Sequence, residues 1–409
     1  MRILKFFRAL VALPLIMGSF ALLSGAAAAQ TEATLYQFVL SSGEFPYGGV
    51  IFDANGNLYG TTNVAGAYQV GTVYKLSPGS GGTWTETVLH SFNLNGKGGA
   101  YPYGTLIFDS VGNLYGTTSA GGQTGYGTAF ELIPQSNGSW MEKVLHEFGQ
   151  SGTDGQAPMT GLVFDAAGNL YGTTWSGGAY GFGVAFKLAP QAGGAWKETV
   201  LHNFGNAKDG QNPAASLILD SSGNLYGTTA GGGSYKVGTA FELSPKSGGG
   251  WTERVIHEFG NSAADGENPY GSLIFDASGN LYGTASGGGS PSVVSTAFEL
   301  SPKVGGTWTE TILHSFSGPD GEGPLANLIF DAAGNLYGTT NRGGANDYGT
   351  VFEISPNGNG TWTERVLYSF FGANDGSYPR SGLVLDSAGN LDGTTAGLGN
   401  YSTVFQVTP

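Results

Sequence analysis

Cysteine is absent from this chain of 409 residues. Its absence excludes disulfide bridges, thiolate metal ligands and a cysteine nucleophile. A chain without covalent cross-links has to be stabilised by the burial of apolar side chains. The sequence therefore favours a large packed core over a small disulfide-bonded scaffold.

Positive charge is scarce. Lys and Arg together number 16, against 30 Asp and Glu, and the formal net charge is −14. A protein this acidic is repelled by phosphate groups. We therefore expect neither nucleic acid nor an anionic membrane surface as a partner.

Long apolar runs are confined to the N-terminus. Three basic residues (Arg2, Lys5 and Arg8) precede an apolar run over residues 9–23, and small residues occupy 27–29. This pattern is typical of a secretory signal peptide over residues 1–29. Every later apolar run is broken within a few residues by Gly, Asp or Thr, so no membrane span is expected. The sequence predicts a soluble mature chain that is secreted to the extracellular space or the periplasm.

Motifs of the common enzyme classes are also missing. The sequence has no G-x-S-x-G, no H-E-x-x-H, and no P-loop or dinucleotide-binding fingerprint at the start of a helix. These absences favour a non-catalytic protein. An extracellular lyase or hydrolase that uses axial carboxylates remains the alternative, and a purely structural surface protein is a third.

Glycine, in contrast, is abundant, with 73 residues at regular places. Many belong to the motif D-x-x-G-N-L-Y-G-T-T, which occurs seven times in full or with one change. The copies are spaced 55 or 56 residues apart and begin at Asp53, Asp109, Asp165, Asp220, Asp276, Asp331 and Asp386. Such a period indicates a repeat architecture with one supersecondary unit per copy.

Each repeat reads as four short strands. In the third repeat these are residues 161–165, 169–175, 183–190 and 196–204, all rich in β-branched and aromatic residues. No period contains an apolar pattern long enough for a helix. The fold class is therefore all-β, and the prediction is a seven-bladed β-propeller of four-stranded antiparallel blades. A solenoid of stacked sheets is the lesser alternative.

The two ends of the chain predict how the ring closes. The last repeat ends at its third strand, residues 402–409, and residues 34–38 resemble the fourth-strand sequence of residues 365–370. We expect the N-terminal strand to complete the last blade, which removes the free edges of an open ring. Residues 30–409 then form a single propeller domain.

The whole period resembles a known repeat family. D-x-x-G-N-L-Y-G-T-T is followed by a Gly-Gly loop, by G-T-[AV]-F-[EK]-L-x-P and by W-x-E-x-V-L-H-x-F. This pattern, over residues 34–409, is similar to the Gloeobacter/Verrucomicrobia-type (GloVer) tandem repeat of choice-of-anchor proteins. The resemblance implies an exported or surface protein of unassigned biochemical role, with no catalytic residues to carry over.

Two sets of repeated residues are candidates for metal ligands. The seven motif aspartates either cap their own hairpin turns, as Asp-x-x-Gly predicts, or form an axial ring for Ca²⁺. The cap explains every copy, so we expect no cofactor, with calcium as the lesser possibility. The five histidines share one position in the fourth strand, where Glu86 and His90 lie roughly 13 Å apart along the strand. We expect them to pack between blades rather than to bind a metal. They are His90, His146, His202, His257 and His314.

Two kinds of loop share one predicted face. D-G-x-x-P loops join successive blades, and their carboxylates are expected to make this face acidic. The variable loops between the second and third strands offer aromatic side chains, which suit sugar rings. The predicted partner is a polysaccharide or an envelope component, bound by a monomer. The candidate ligand-binding residues are Trp175, Tyr180, Tyr126, Tyr68, Tyr235, Tyr348 and Tyr401.

Overall fold

The structure, a computed structural model, describes residues 31–206, 208–287, 295–372, 374–397 and 402–409. The predicted signal peptide and Tyr401 lie outside these residues. The described chain forms seven antiparallel blade sheets that follow one another in sequence, and it contains no α-helix. Blades 2 and 4 carry a fifth strand, and blade 3 has a separate two-stranded ladder beside its four strands. Its two 3-10 turns are three residues each, and no described helix is long and apolar enough to cross a membrane. The predicted seven-bladed propeller is confirmed.

The strands are numbered in chain order, and the first belongs to the last blade. This strand is β1 (Thr31–Gln37), which pairs in blade 7. Blades 1 to 3 contain β2 (Ile51–Phe52), β3 (Leu58–Thr62), β4 (Thr72–Pro78), β5 (Trp84–Ser91), β6 (Gly99–Pro102), β7 (Ile107–Phe108), β8 (Leu114–Gly121), β9 (Thr128–Pro134), β10 (Trp140–Glu147), β11 (Gly155–Gln156), β12 (Val163–Phe164), β13 (Leu170–Thr173), β14 (Ser176–Gly177), β15 (Val184–Pro190) and β16 (Trp196–Asn203).

Blades 4 to 7 repeat the pattern. They contain β17 (Gly210–Pro213), β18 (Ile218–Leu219), β19 (Leu225–Gly232), β20 (Thr239–Pro245), β21 (Trp251–Glu258), β22 (Ile274–Phe275), β23 (Leu281–Ala285), β24 (Ser295–Pro302), β25 (Trp308–Phe316), β26 (Ile329–Phe330), β27 (Leu336–Thr340), β28 (Thr350–Pro356), β29 (Trp362–Ser369), β30 (Val384–Leu385), β31 (Leu391–Ala396) and β32 (Ser402–Thr408). The 3-10 turns are Ser80–Gly82 and Gly318–Asp320.

The first strand of each blade is shorter than the sequence predicts. In blade 3 it is β12, two residues long instead of the expected five. The preceding backbone is used elsewhere: the Thr160 carbonyl accepts the Thr117 hydroxyl at 2.7 Å, and the Gly161 N–H donates to the Ser216 hydroxyl at 2.8 Å. These partners lie in the adjacent blades, so hydrogen bonds between blades replace the pairing within the sheet.

The repeated aspartate caps its own hairpin, as predicted. Oδ1 of Asp165 accepts the N–H groups of Ala167 and Asn169, both at 2.9 Å, and Oδ2 accepts the Asn169 amide at 2.7 Å and the Tyr171 hydroxyl at 3.0 Å. Gly168 follows with φ of +79°, which glycine adopts without strain. Partial burial acts against ionisation, yet these hydrogen bonds hold the pKa of Asp165 below its ordinary value.

The apolar core is divided into layers between the blades. In one layer Phe148, at the end of the fourth strand of blade 2, packs against Phe186 of blade 3 with ring centroids 5.0 Å apart, and both side chains are fully buried. The repeated Trp also crosses an interface, because Trp196 of blade 3 lies 6.4 Å from the Tyr115 ring of blade 2. Each blade is therefore stabilised by its neighbours.

The N-terminal strand closes the ring. β1 pairs antiparallel with β32, from Thr31 opposite Thr408 to Gln37 opposite Thr403. Phe38, which follows β1, is fully buried and lies 4.9 Å from the Tyr74 ring of blade 1. The closing interface therefore has the same aromatic contact as the internal interfaces.

Candidate ligand-binding face

One face of the disc is formed by the D-G-x-x-P loops together with the loops between second and third strands. The two kinds of loop are joined between adjacent blades. The residue before the proline donates its N–H to the preceding blade, as Tyr101 does to the Val70 carbonyl at 2.8 Å and Ala157 does to the Tyr126 carbonyl at 2.9 Å. We call this surface the loop face.

Backbone strain is concentrated on the loop face. The residue before the proline has φ between +53° and +58° in six loops, and the seventh uses Gly323 at +60°. This conformation costs a non-glycine residue about 1–2 kcal/mol, so the hydrogen bonds between blades have to hold it. The six strained residues are Phe45, Tyr101, Ala157, Asn212, Asn268 and Tyr378.

The residue after each proline lines a small pocket of about 90 Å³. Equivalent positions from all seven blades contribute to its wall, which places this axial pocket on the propeller axis. Two residues further along the chain, hydrogen bonds join the blades around the axis. The Gly49 N–H donates to the Thr105 hydroxyl at 2.9 Å, and the Ser216 N–H donates to the Ser272 hydroxyl at 2.9 Å. The seven residues after the prolines are Tyr47, Tyr103, Met159, Ala214, Tyr270, Leu325 and Arg380.

The axial pocket combines aromatic rings with one positive charge. The Arg380 guanidinium lies 5.2 Å from the centre of the Tyr47 ring, and the Tyr47 and Tyr103 rings are 4.7 Å apart. Burial raises the pKa of Tyr47 although Arg380 opposes the rise, so the phenol stays a hydrogen-bond donor. Among the described residues the lining contains no carboxylate. The axial carboxylates of the alternative hypothesis are absent from this wall, because the motif aspartates lie at the opposite ends of the first strands.

Four of the predicted tyrosines are exposed on the loop face. The exposed fractions are 60% for Tyr68, 47% for Tyr126, 48% for Tyr180 and 51% for Tyr235. Tyr68, Tyr180 and Tyr235 share one repeat position at the tip of the loop, three residues before a glycine. We call these three residues the rim tyrosines.

The remaining predicted residues differ from the rim tyrosines. Trp175 follows β13 and is half-buried, and its carbonyl accepts the Asn212 amide at 2.9 Å. Tyr348 is half-buried, and its ring packs edge-on against Tyr378 at 5.6 Å. Tyr401 lies outside the described residues. Trp175 and Tyr348 can therefore contribute only part of their rings to a ligand.

We expected the aspartates of the D-G-x-x-P loops to make the loop face acidic, and this expectation is wrong for three of them. Asp154, Asp209 and Asp265 have exposed fractions of 5%, 8% and 3%. Each one turns into the blade interface, where it accepts hydrogen bonds from its own loop and from a histidine. These three aspartates therefore add no exposed charge to the loop face, whereas Asp320 and Asp375 remain partly exposed.

These aspartates belong to inter-blade clusters that each contain the histidine of one blade, the aspartate of the next loop and the glutamate of the following blade. In every cluster the three side chains place one possible ligand atom each within 4.8 Å of one another. Burial raises the pKa of each glutamate to about 7, and the nearby aspartate adds to the rise. The clusters are His146–Asp154–Glu198, His202–Asp209–Glu253, His257–Asp265–Glu310 and His314–Asp320–Glu364.

Sequence reasoning did not find the axial pocket or the inter-blade clusters. The pocket has a weak signal, because three loops contain a Pro-Tyr pair that ends in Tyr47, Tyr103 or Tyr270. The clusters leave no signal within one repeat, because Glu86 and His90 of the same strand do not meet. Each histidine lies close to the glutamate of the next blade instead. Only the lateral packing of the blades shows this pairing.

Comparison with protein families gives matches over three stretches. The sequence pattern of the Gloeobacter/Verrucomicrobia repeat matches residues 24–204, 137–309 and 296–409. Together these stretches cover the seven repeats. No curated protein matches the chain.

Solved structures are similar in fold. A candidate 6-phosphogluconolactonase from Bacteroides uniformis has 12% identity and a TM-score of 0.50, over 81% of this chain and 90% of that one. A candidate oxidoreductase (glucose dehydrogenase) from Thermus thermophilus has 14% identity and a TM-score of 0.45, over 93% and 100%. A protein of unknown function from Dyadobacter fermentans has 12% identity and a TM-score of 0.47, over 92% and 96%. At such identities the likeness concerns the fold alone.

Proposed function

This chain belongs to the Gloeobacter/Verrucomicrobia repeat family, and from that premise we propose that it is an exported, non-catalytic binding propeller. Its ligand is a polysaccharide or another component of the cell envelope, bound on the loop face. The basic and apolar N-terminus supports export, because its pattern is that of a signal peptide. The bound partner is then one that an exported protein meets outside the cytoplasm.

The exposed aromatic rings of the loop face are the observation that carries this proposal. Tyr68, Tyr180 and Tyr235 each expose about half of the side chain or more, and Tyr126 exposes 47%. Sugar rings present apolar C–H patches that stack on such rings, while the phenol hydroxyls bond sugar hydroxyls. Trp175, Tyr348 and Tyr401 belong to the same proposed surface.

The repeat arrangement suits a polymeric ligand. The rim tyrosines occupy equivalent positions in blades 1, 3 and 4, and the axial pocket offers Tyr47, Tyr103 and Arg380 at the centre of the same face. A polysaccharide presents the same sugar many times, so several weak contacts act together and raise the overall affinity. An isolated monosaccharide gains from one contact only.

The test is a binding screen of purified residues 30–409 against soluble and insoluble polysaccharides, with calcium and with a chelator. We expect retention on one class of glycan in both conditions and no breakdown of the retained glycan. Depolymerisation of a retained glycan would instead support the extracellular lyase or hydrolase. Absence of retention on every glycan would contradict the proposal and favour a protein partner or a structural role.

A further inference from the structure

The inter-blade clusters have the composition of a transition-metal site. Each brings together one imidazole and two carboxylates from three separate parts of the chain. Imidazole and carboxylate are common ligands of Zn²⁺, whereas three ligands are too few for Ca²⁺, which favours six to eight oxygens. A divalent ion would also neutralise two ionised carboxylates in a buried place.

The cluster in blades 4 and 5 shows the geometry most clearly. Nε2 of His257 lies 3.4 Å from Oδ2 of Asp265 and 3.6 Å from Oε1 of Glu310. The corners of a tetrahedron around an ion with bonds of about 2.0 Å are about 3.3 Å apart. The two distances from the histidine are therefore close to those of a bound ion, and the two carboxylates can supply atoms within 4.8 Å of each other.

The same cluster is largely buried, and only a narrow part of it reaches solvent. The side chains of His257, Asp265 and Glu310 have exposed fractions of 10%, 1% and 13%. Oε1 of Glu310 is buried and has no hydrogen-bond partner, and the same holds for Oε1 of Glu198, Glu253 and Glu364 in the other clusters. A buried carboxylate oxygen without a donor is costly, and a cation supplies what is missing.

Two of the ligand groups are already oriented. The His257 ring packs edge-on against Phe259, with centroids 4.7 Å apart, and Oδ2 of Asp265 accepts the Asn261 N–H at 3.0 Å. Partners of this kind fix the orientation of metal ligands and raise affinity. The site is therefore partly preorganised for an ion.

Three other interfaces provide a natural comparison. His90 faces Glu142 at 3.3 Å, but Gly98 occupies the position at which five of the seven loops have aspartate and the first loop has Ser42. Tyr368 and Tyr36 replace the histidine at the two interfaces of blade 7. The Tyr368 hydroxyl donates to Asp375, and the Tyr36 hydroxyl donates to Glu86. Oε1 of Glu86 is also unpartnered, so the aspartate and the imidazole, rather than the glutamate alone, distinguish the complete clusters.

We propose that the four complete inter-blade clusters bind Zn²⁺ or a similar divalent transition ion through histidine, aspartate and glutamate, with a fourth position open to water. The ions then join adjacent blades from blade 2 to blade 6. This inference is independent of the proposed glycan binding, because the ligands lie inside the blade interfaces and not among the exposed tyrosines.

The test uses Co²⁺ as the probe on metal-free protein. We expect native mass spectrometry to show up to four ions per chain, with the intense visible absorption of tetrahedral cobalt. His257→Tyr is expected to remove one ion and to fold, because tyrosine already occupies this position in Tyr36 and Tyr368. His90→Tyr is the matched control, and it is expected to leave the number of ions unchanged.

Two results would overturn the inference. One is the absence of stoichiometric Co²⁺ after desalting, and the other is an equal loss, or no loss, in His257→Tyr and His90→Tyr. If circular dichroism shows that His257→Tyr does not fold, Glu310→Gln replaces it as a near-isosteric change. It too is expected to remove one ion, and an unchanged count in that variant contradicts the site.

Discussion

Gly172 shows how a single residue of the repeat is fixed by packing. A Cβ atom at this position would lie 2.7 Å from Cζ of Phe186, which is too close for a real contact, and 3.0 Å from Cδ2 of Leu162, which is unusually tight. The equivalent glycine of every other copy meets the aromatic ring of the third strand in the same way. The Gly in the repeated Y-G-T-T sequence is therefore required by the ring that covers it.

We predict that Gly172→Ala destabilises the fold. The added methyl group forces Phe186 or Leu162 to move within a close-packed layer, which costs about 1–3 kcal/mol of the free energy of unfolding. Urea denaturation of both proteins measures the difference.

Gly152→Ala is the matched control. No atom lies within 4 Å of its Cβ position and its φ is not in the left-handed region, so we expect a change within about 0.5 kcal/mol. Equal effects of the two substitutions would contradict the packing explanation.

Asp392 departs from the repeat, because the other six copies have tyrosine at this position. Its side chain is fully buried; Oδ1 accepts the Gln406 amide at 3.1 Å, and Oδ2 has no partner. Burial raises the pKa of Asp392 to about 7 from an ordinary value of 3.8, and Asp386 adds to the rise. The folded protein therefore holds this carboxyl protonated at mildly acidic pH.

We predict that Asp392→Asn stabilises the protein at pH 8 and changes little at pH 4. A pKa that is higher in the folded state gives stability that is complete below about pH 4 and is lost as the pH rises to about 7. The difference between an ordinary pKa of 3.8 and a pKa of about 7 corresponds to at most about 4 kcal/mol. Urea denaturation at pH 4, 6 and 8 checks this, and an effect that does not change with pH would contradict it.

The first hairpin is the element that the sequence predicts best. Asp, Gly and Asn at fixed spacing make all the hydrogen bonds of the turn within seven residues, from Asp165 to Tyr171, so local chemistry decides the result. The length of the first strand could not be predicted in the same way. Its backbone bonds to threonine and serine hydroxyls of adjacent blades, which one repeat cannot show.

Strand β1 is the element on which ring closure depends. We predict that Phe38→Ala lowers the free energy of unfolding by about 3–5 kcal/mol, as expected for the loss of a buried phenylalanine. Phe38 is as deeply buried as Phe370, which has the same place at an internal interface. Thermal or urea unfolding of both variants gives the comparison.

Phe370→Ala is the internal reference for this prediction. Similar losses in the two variants would show that the N-terminal strand is as firmly held as an internal strand. A loss below about 1 kcal/mol for Phe38→Ala beside a full loss for Phe370→Ala would show that β1 frays and that closure contributes little.

At the scale of the whole molecule, the repeat predicted more of the fold than of the site. The period predicted seven blades, and the likeness of residues 34–38 to a fourth strand predicted the closure that the pairing of β1 with β32 confirms. The candidate tyrosines were recognisable because they lie within single loops. The axial pocket and the inter-blade clusters arise only when the ring brings equivalent residues of different blades together.

The most direct measurement compares the affinity for the retained glycan between a loop-face variant and an opposite-face control. The loop-face variant combines Tyr68→Ala, Tyr180→Ala and Tyr235→Ala. The control combines Val111→Ala and Val304→Ala, two side chains exposed by 76% and 105% in hairpin turns at the other end of the disc. We predict at least a tenfold weaker affinity for the loop-face variant and wild-type affinity for the control, because an aromatic contact contributes about 1 kcal/mol or more. Equal affinities of the wild type and the loop-face variant would contradict binding by the loop face.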